Sequence, residues 1–130
     1  MAKKLAMVFG VVFLLVGVLG FFPNPIIGTS MDAWFHADTV HNLIHIVTGL
    51  VFVYIAVKTG ASATAMKVFG VVYLLVALLG FVDMDLFGLT HVNMADNWLH
   101  VVLGVVILLA GFTAKDSAPM TMGGNNMGQM

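Results

Sequence analysis

Residues 8–21 read VFGVVFLLVGVLGF, and residues 68–81 read VFGVVYLLVALLGF, so the two stretches differ at only three of their 14 positions. Residues 41–49, HNLIHIVTG, match residues 96–104, DNWLHVVLG, in the same order along the chain. An apolar segment followed by a segment with a polar face therefore occurs twice. This pattern predicts a tandem duplication of a two-segment unit, with repeat 1 at residues 5–58 and repeat 2 at residues 65–115.

The composition of the chain indicates a membrane protein. Of its 130 residues, 61% are hydrophobic and 8% are charged, whereas soluble domains carry about 45–50% apolar and about 25% charged residues. Four apolar segments, at residues 5–22, 39–57, 65–82 and 97–114, are each close to the roughly 20 residues that cross a bilayer as a helix. We expect residues 1–116 to form an all-α bundle of four transmembrane helices.

The charged residues predict an orientation in the membrane. All five lysines fall at one side of a four-span chain, and five of the six aspartates fall at the other. By the positive-inside rule, both termini are cytoplasmic and the two longer loops face outward. Each repeat then ends on the side where it began, so the two helical hairpins are parallel and related by a pseudo-two-fold axis along the membrane normal. The lysines are Lys3, Lys4, Lys58, Lys67 and Lys115.

Several functional classes are excluded by composition. The chain has no arginine and a net charge of −1, which leaves no basic surface for nucleic acid. It has no cysteine, so disulfides, thiolate metal sites and a cysteine nucleophile are excluded. No nucleophile–base pair or phosphate-binding loop indicates an enzyme, and we expect a non-enzymatic protein.

Polar residues recur in the same spacing at the outer ends of the second and fourth segments. In each segment they occupy positions i, i+3, i+4 and i+7, which lie on one face of a helix. Unpaired polar groups are costly at lipid depth, so these faces should point into the bundle and meet near the symmetry axis. The quartets are Asp38, His41, Asn42 and His45 in the second segment, and Asn93, Asp96, Asn97 and His100 in the fourth.

One interpretation of the two quartets is a structural polar network. Asp38 and Asn93 are residue types that cap helix N-termini, and Asn93 with Asp96 has the spacing of a capping box. Asn42 and Asn97, together with the histidines, would then form hydrogen bonds across the helix interface or to the outer loops. In this interpretation the protein needs no cofactor.

A second interpretation is a ligand site. His41, His45, Asp96 and His100 supply three imidazoles and a carboxylate, a set suited to Zn(II) or another divalent transition metal. Alternatively, His45 and His100, at equal depth on two related helices, could hold a haem between two imidazoles. No basic residue stands nearby to meet the haem propionates.

Proton or ion conduction is a third interpretation, since carboxylates and histidines within a membrane can form a relay. The inner half of the segments offers little beyond Thr48, Tyr54 and Tyr73 to continue such a path. The function that we expect first is an accessory or structural subunit that joins a larger membrane assembly, or a second copy of itself, through its apolar and glycine-containing faces. Metal or haem binding and small-scale transport are the alternatives.

The last residues differ in composition from the rest. Residues 117–130 are rich in Met, Gly and Asn, which predicts a disordered, low-complexity tail. Met120 and Met122 have a spacing that thioether ligands of Cu(I) can use, which is an alternative interpretation of this tail.

Three stretches of the chain resemble a known family. They are HNLIH at residues 41–45, VFGVVYLL at residues 68–75 and NMADNWLHVVLG at residues 93–104. Together they resemble a family of small bacterial four-span membrane proteins catalogued only as a domain of unknown function, over residues 5–114. That family usually has Asn where this chain has Asp38. The resemblance implies four spans and a bacterial origin, hence the inner membrane, and it implies no particular activity.

Overall fold

The computed structural model describes residues 1–117 and contains four long helices. They are α1 (Ala2–Leu19), α2 (Thr39–Lys58), α3 (Ser62–Val82) and α4 (Met94–Thr113). Each is long and apolar enough to cross a membrane. The predicted all-α four-helix bundle is confirmed, and the chain is a multi-pass membrane protein. The predicted disordered tail, with Met120 and Met122, lies outside the described residues from position 118 onward.

Helices α1, α3 and α4 begin three residues earlier than the apolar segments predict, and side-chain hydrogen bonds lie at the end of α1 and at the starts of α3 and α4. The carboxamide of Asn24 donates hydrogen bonds to the carbonyl oxygens of Leu19 and Phe22. The backbone N–H of Phe22 also donates to the carbonyl oxygen of Leu19. Together these bonds satisfy acceptors at the end of the helix, which stops at Leu19 rather than at Phe22. Asn93 caps α4. The start of α3 donates a backbone hydrogen bond to Asp116, which follows α4 in the chain.

The bundle consists of two antiparallel hairpins, α1 with α2 and α3 with α4, which account for most of the contacts between helices. Glycines allow close approach within each hairpin. A Cβ atom at Gly10 would lie 3.0 Å from the carbonyl oxygen of Gly49, and a Cβ at Gly49 would lie 2.8 Å from the carbonyl oxygen of Gly10. Small residues at such positions let the backbones of membrane helices meet. By contrast, α2 and α3 contact each other little, although only three residues join them.

The two connections at residues 20–38 and 83–93 lie at the same end of the bundle, which we call the loop end. The termini and the turn between α2 and α3 lie at the opposite, terminus end. The first loop contains the one departure from an all-α fold among the described residues, a parallel pairing of two short strands, β1 (Ile27–Gly28) and β2 (Phe35–His36). In the second loop, Leu86 and Phe87 adopt positive φ angles of 41° and 59°.

Asp116 is the only aspartate that the sequence places at the lysine side, and the structure gives it a structural role. Its carboxylate accepts hydrogen bonds from the backbone N–H of Ala63 (2.6 Å) and from the hydroxyl of Thr64 (2.6 Å) at the start of α3. The Thr64 hydroxyl contributes most to holding the pKa of Asp116 below its usual value. Asp116 thus ties the segment after α4 to the N-terminus of α3.

Candidate functional site

Two N-cap residues set the position of the first turns of α2 and α4. Asp38 Oδ1 accepts a hydrogen bond from the backbone N–H of His41 (2.9 Å), and Asn93 Oδ1 accepts one from the backbone N–H of Asp96 (2.9 Å). Each cap satisfies a donor that the helix itself leaves unpaired. The residues that carry the chemistry therefore begin at a defined point of each helix.

Both caps also contact the loop of the other hairpin. Asp38 accepts hydrogen bonds from the hydroxyl of Thr90 (2.8 Å) and from the backbone N–H of His91 (2.9 Å). In the reverse direction, the carboxamide of Asn93 donates to the carbonyl oxygen of Trp34 (3.1 Å). These bonds hold the loop ends of α2 and α4 together.

Asp38 is kept ionised by this arrangement. Partial burial acts to raise the pKa of its carboxyl group, but the hydrogen bonds from the His41 and His91 backbones and from the Thr90 hydroxyl outweigh burial. The pKa of Asp38 consequently lies below its ordinary value.

Three imidazoles meet between α2 and α4, just below the capped turns. The ring centroid of His41 lies 4.6 Å from that of His45 and 5.5 Å from that of His100, and the centroids of His45 and His100 are 6.1 Å apart. One nitrogen from each ring can be chosen so that all three lie within 4.8 Å of one another. The three side chains are deeply buried, with 4%, 6% and 3% of the surfaces of His41, His45 and His100 exposed.

Asp96 joins the cluster from the first turn of α4. Its Oδ2 atom lies 3.3 Å from Nδ1 of His100 and 3.8 Å from Nε2 of His41. Nδ1 of His100 is also 2.8 Å from the carbonyl oxygen of Asp96. Because a carbonyl only accepts, Nδ1 of His100 must donate, and the lone pair of the neutral ring is then on Nε2.

Several atoms of the cluster lack hydrogen-bond partners among residues 1–117. They are both ring nitrogens of His45, Nδ1 of His41 and Oδ2 of Asp96. A buried polar group that goes unpaired costs about 1–3 kcal/mol, and such groups are uncommon in folded proteins. Nitrogen lone pairs and a carboxylate oxygen gathered in one place have the chemistry of a cation site.

Asn42 and Asn97 are not part of this cluster, although the sequence places them on the same helical faces. Both are fully buried, and their carboxamides lie directly against Gly20, the residue that follows α1, and against Gly80 in α3. Asn42 also donates to the carbonyl oxygen of Ala37 (3.2 Å). Each quartet is therefore divided, since its histidine positions face the bundle centre and its asparagine faces the partner helix of its own hairpin.

The two remaining histidines lie in the loops. The ring centroids of His36 and His91 are 5.1 Å apart, and Nδ1 of His91 is 2.7 Å from Oδ1 of Asp85. His36 is buried, with 7% of its surface exposed, and His91 is partly exposed, but neither belongs to the group of three clustered imidazoles.

Sequence analysis missed two aromatic neighbours of the cluster. The ring of Tyr73 stacks on that of His100, with centroids 5.4 Å apart and planes 18° apart, and the ring of Phe13 lies 5.6 Å from that of His45. The sequence pattern predicts Tyr73 in the inner half of the membrane, whereas the structure places its ring against that of His100. A sign was available in the sequence, because Tyr73 is the aligned counterpart of Phe13 in otherwise similar stretches.

A cavity of about 140 Å³ adjoins the cluster between α2, α3 and the loop at residues 83–93. All three clustered histidines line it, and so does Thr48 of α2. The rest of the lining is mostly apolar.

A family model described as a domain of unknown function, DUF4383, matches residues 3–113, a range that includes the four helices except for the first residue of α1. No curated protein and no solved structure matches the chain.

Proposed function

The chain belongs to the DUF4383 family, whose description gives no activity, and from the geometry of its own site we propose that it binds one divalent transition-metal ion of the Zn(II) class. His41, His45 and His100 are the ligands, and the site lies within the membrane near the loop end. This proposal rests on the neutral nitrogen donors and the carboxylate described above, which suit such an ion.

One observation carries the proposal. Three deeply buried imidazoles present nitrogens within 4.8 Å of one another, and nitrogens of His41 and His45 lack partners among the described residues. Zn–N bonds are about 2.0–2.1 Å long, so two ligands of one ion lie within about 4 Å of each other. The nitrogens would therefore have to approach one another by about 1 Å when the ion binds.

Asp96 supports the same proposal. Its backbone carbonyl oxygen fixes the His100 ring with the Nε2 lone pair free, and carboxylates or carbonyls that orient a histidine in this way accompany most metal-bound imidazoles. Asp96 is also buried, with 2% of its surface exposed, and the negative charge of its carboxylate would offset the charge of the ion. Oδ2 of Asp96 makes no hydrogen bond among the described residues. A buried charge that is not offset is costly, so a bound cation would stabilise the fold here.

A metal ion fits the site better than haem does. The cavity of about 140 Å³ is smaller than the roughly 300–1,000 Å³ of most cofactor pockets. The ring centroid of His41 also lies within 5.5 Å of those of both His45 and His100. The His41 side chain would therefore obstruct a haem held between the other two imidazoles.

Ion conduction is less well supported than binding. The cluster occupies the loop-end half of the bundle, whereas fully buried apolar side chains fill the terminus-end half. They are Phe52, Met66 and Ile107. A charge leaving the cluster toward the terminus end would enter this apolar core, which is unfavourable.

An accessory role in a larger membrane assembly is compatible with a metal site. The exposed faces of the helices carry apolar side chains, which suit lipid as well as a partner helix. Mild solubilisation followed by size-exclusion chromatography tests this role. A larger assembly supports an accessory subunit or a homo-oligomer, and a monomer at all concentrations contradicts both.

We further propose that both termini lie on the cytoplasmic side of a bacterial inner membrane, because all five lysines belong to the terminus end. The chain has no cysteine, so single cysteines report orientation cleanly. In intact cells, a membrane-impermeant maleimide should label Met31→Cys in the first loop and leave Ser117→Cys unlabelled. The opposite pattern would refute the orientation.

Elemental analysis of the purified protein tests the metal site. We expect about one transition-metal ion per chain after growth with zinc, and loss of that ion in His45→Ala. His36→Ala, which removes a loop histidine outside the cluster, is the matched control and should keep the ion. His45→Gln preserves a polar side chain of similar size and controls for packing. A wild-type protein that stays metal-free, or equal metal loss in His36→Ala, contradicts the proposal.

A further inference from the structure

The cavity beside the imidazole cluster has the properties of a second ligand site. We propose that it binds the head of a molecule dissolved in the bilayer, namely a single ring bearing oxygen, of the phenol or quinone class. This goes beyond the metal site and does not require the ion, because His45 has two ring nitrogens and a metal ion takes one of them.

The cavity is reached from the bilayer. Ile44 of α2 and Val72 of α3 line it, and their side chains are 41% and 42% exposed on the flank of the bundle. The seam between these two helices has few contacts. Toward the loop end, the cavity is bounded by the buried side chains of Thr90 and Val92 and by the exposed apolar side chain of Leu89. A ligand would therefore enter sideways, between α2 and α3, with its apolar tail left in the lipid.

The dimensions of the cavity suit one ring. Its volume is about 140 Å³, and an apolar protein cavity of roughly 150 Å³ is known to bind benzene. Phe69, Tyr73 and His100 supply flat walls, and aromatic rings pack well against such surfaces in offset or edge-on arrangements. Two-chain lipid headgroups would be too large.

The ligand must also carry oxygen. Both ring nitrogens of His45 lack a hydrogen-bond partner within the described part of the chain, and the side chain is 6% exposed. A neutral imidazole has one donor and one acceptor. The oxygen of a phenol or a quinone can accept from the N–H whether or not an ion occupies the other nitrogen, and a phenol hydroxyl can donate to that nitrogen when no ion is bound. A plain hydrocarbon ring would leave these nitrogens unpaired, which disfavours it.

Photoaffinity labelling tests the site in lipid nanodiscs with the full chain. The probe is 4-nonylphenol with a diazirine in the alkyl chain beside the ring, and labelled peptides are mapped by mass spectrometry. We expect labelling in residues 44–48 and 69–76 that excess 4-nonylphenol competes away. Val72→Trp, which fills the cavity, should reduce labelling about tenfold or more. Val71→Trp is the matched control, because Val71 is exposed outside the cavity lining, and it should label as the wild type does.

A second variant tests the role of oxygen. His45→Phe keeps a ring in place and removes both nitrogens, so it should weaken labelling by the phenol probe without weakening labelling by the corresponding nonylbenzene probe. Three outcomes would overturn the proposal. They are labelling spread uniformly over the lipid-facing residues, labelling that excess 4-nonylphenol does not reduce, and labelling of Val72→Trp equal to that of the wild type. Metal content is measured on the same samples, so that the two proposals can be separated. Specific labelling of a metal-free protein refutes only the metal site. A metal-bound protein without specific labelling refutes only the cavity site.

Discussion

The carboxylate of Asp38, at the start of α2, accepts a hydrogen bond of 2.8 Å from the hydroxyl of Thr90, which lies 52 residues later in the loop before α4. The bond joins the two hairpins directly above the imidazole cluster. Asn93 makes the reciprocal contact with the carbonyl oxygen of Trp34. Because helices of different hairpins contact each other far less than helices of the same hairpin, these polar bonds contribute to the separation of α2 and α4, and hence to the distance of His100 from His41 and His45.

Replacement of Asp38 should destabilise the bundle. Asp38→Ala removes the cap of α2 and both bonds to the second loop, and loss of a helix cap alone costs about 0.5–2 kcal/mol. Thermal unfolding in detergent should show a lower midpoint than the wild type. Asp32→Ala is the matched control, because Asp32 is exposed in the first loop and should leave the midpoint unchanged. Equal midpoints for the two variants would contradict the role given to Asp38.

Stability should also depend on pH through Asp38. Its pKa in the folded protein lies below the ordinary value, which is about 3.9 for an unfolded chain. The stability that it contributes is therefore complete above the unfolded-state pKa and is lost as the pH falls through the lower folded-state pKa. We expect the unfolding midpoint to fall on acidification below about pH 4. The fall should be smaller in Asp38→Asn, which cannot titrate, and identical slopes would refute this prediction.

The contact between Gly80 and Asn97 should be specific to glycine. A Cβ at position 80 would overlap the carboxamide of Asn97, so Gly80→Ala should destabilise the protein by about 1–3 kcal/mol through overpacking. This loss would occur although alanine is the better helix former by roughly 1 kcal/mol. Unfolding measurements on Gly80→Ala, on Asn97→Ala and on the double variant provide the test.

The double variant is the decisive control for Gly80. With Asn97 shortened to alanine, the methyl group added by Gly80→Ala has room. The double variant should therefore lose less stability than the sum of the losses in the two single variants. Strict additivity would mean that the two residues are not in contact as described.

Asp96 should strengthen metal binding, and its replacement should lower metal affinity without disrupting the fold of the loops. Asp96→Asn keeps the backbone carbonyl that orients His100 and removes the buried charge. Loss of such a supporting group typically lowers metal affinity about 10–100-fold. Competition titration against a zinc chelator measures the change. Asp85→Asn, beside the loop residue His91, is the matched control, and an equal loss of affinity in both variants would contradict the assignment.

The sequence by itself determined that this protein lies in a membrane and that it has four long helices. Runs of about 20 apolar residues predict membrane spans because lipid offers the backbone no hydrogen-bond partners outside a helix. It also indicated Asp38 and Asn93 as caps, since capping depends on residues only three positions apart. The bounds of α1, α3 and α4 differ from the apolar segments by three residues at one or both ends. Hydrogen bonds of the Asn24, Asp116 and Asn93 side chains lie at the end of α1 and at the starts of α3 and α4, where hydropathy gives no signal.

Only the tertiary structure decided which polar side chains meet. Helical spacing placed His45 and Asn42 on one face, but a face spans a wide arc, and the rotation of α2 between its two neighbours directs Asn42 to Gly20 and His45 to His100. Tyr73 joins the cluster for the same reason, through the packing of α3 beside α4. Such rotations follow from close packing at small residues across several helices at once. They depend on residues far apart in the chain, which no local pattern in the sequence can specify.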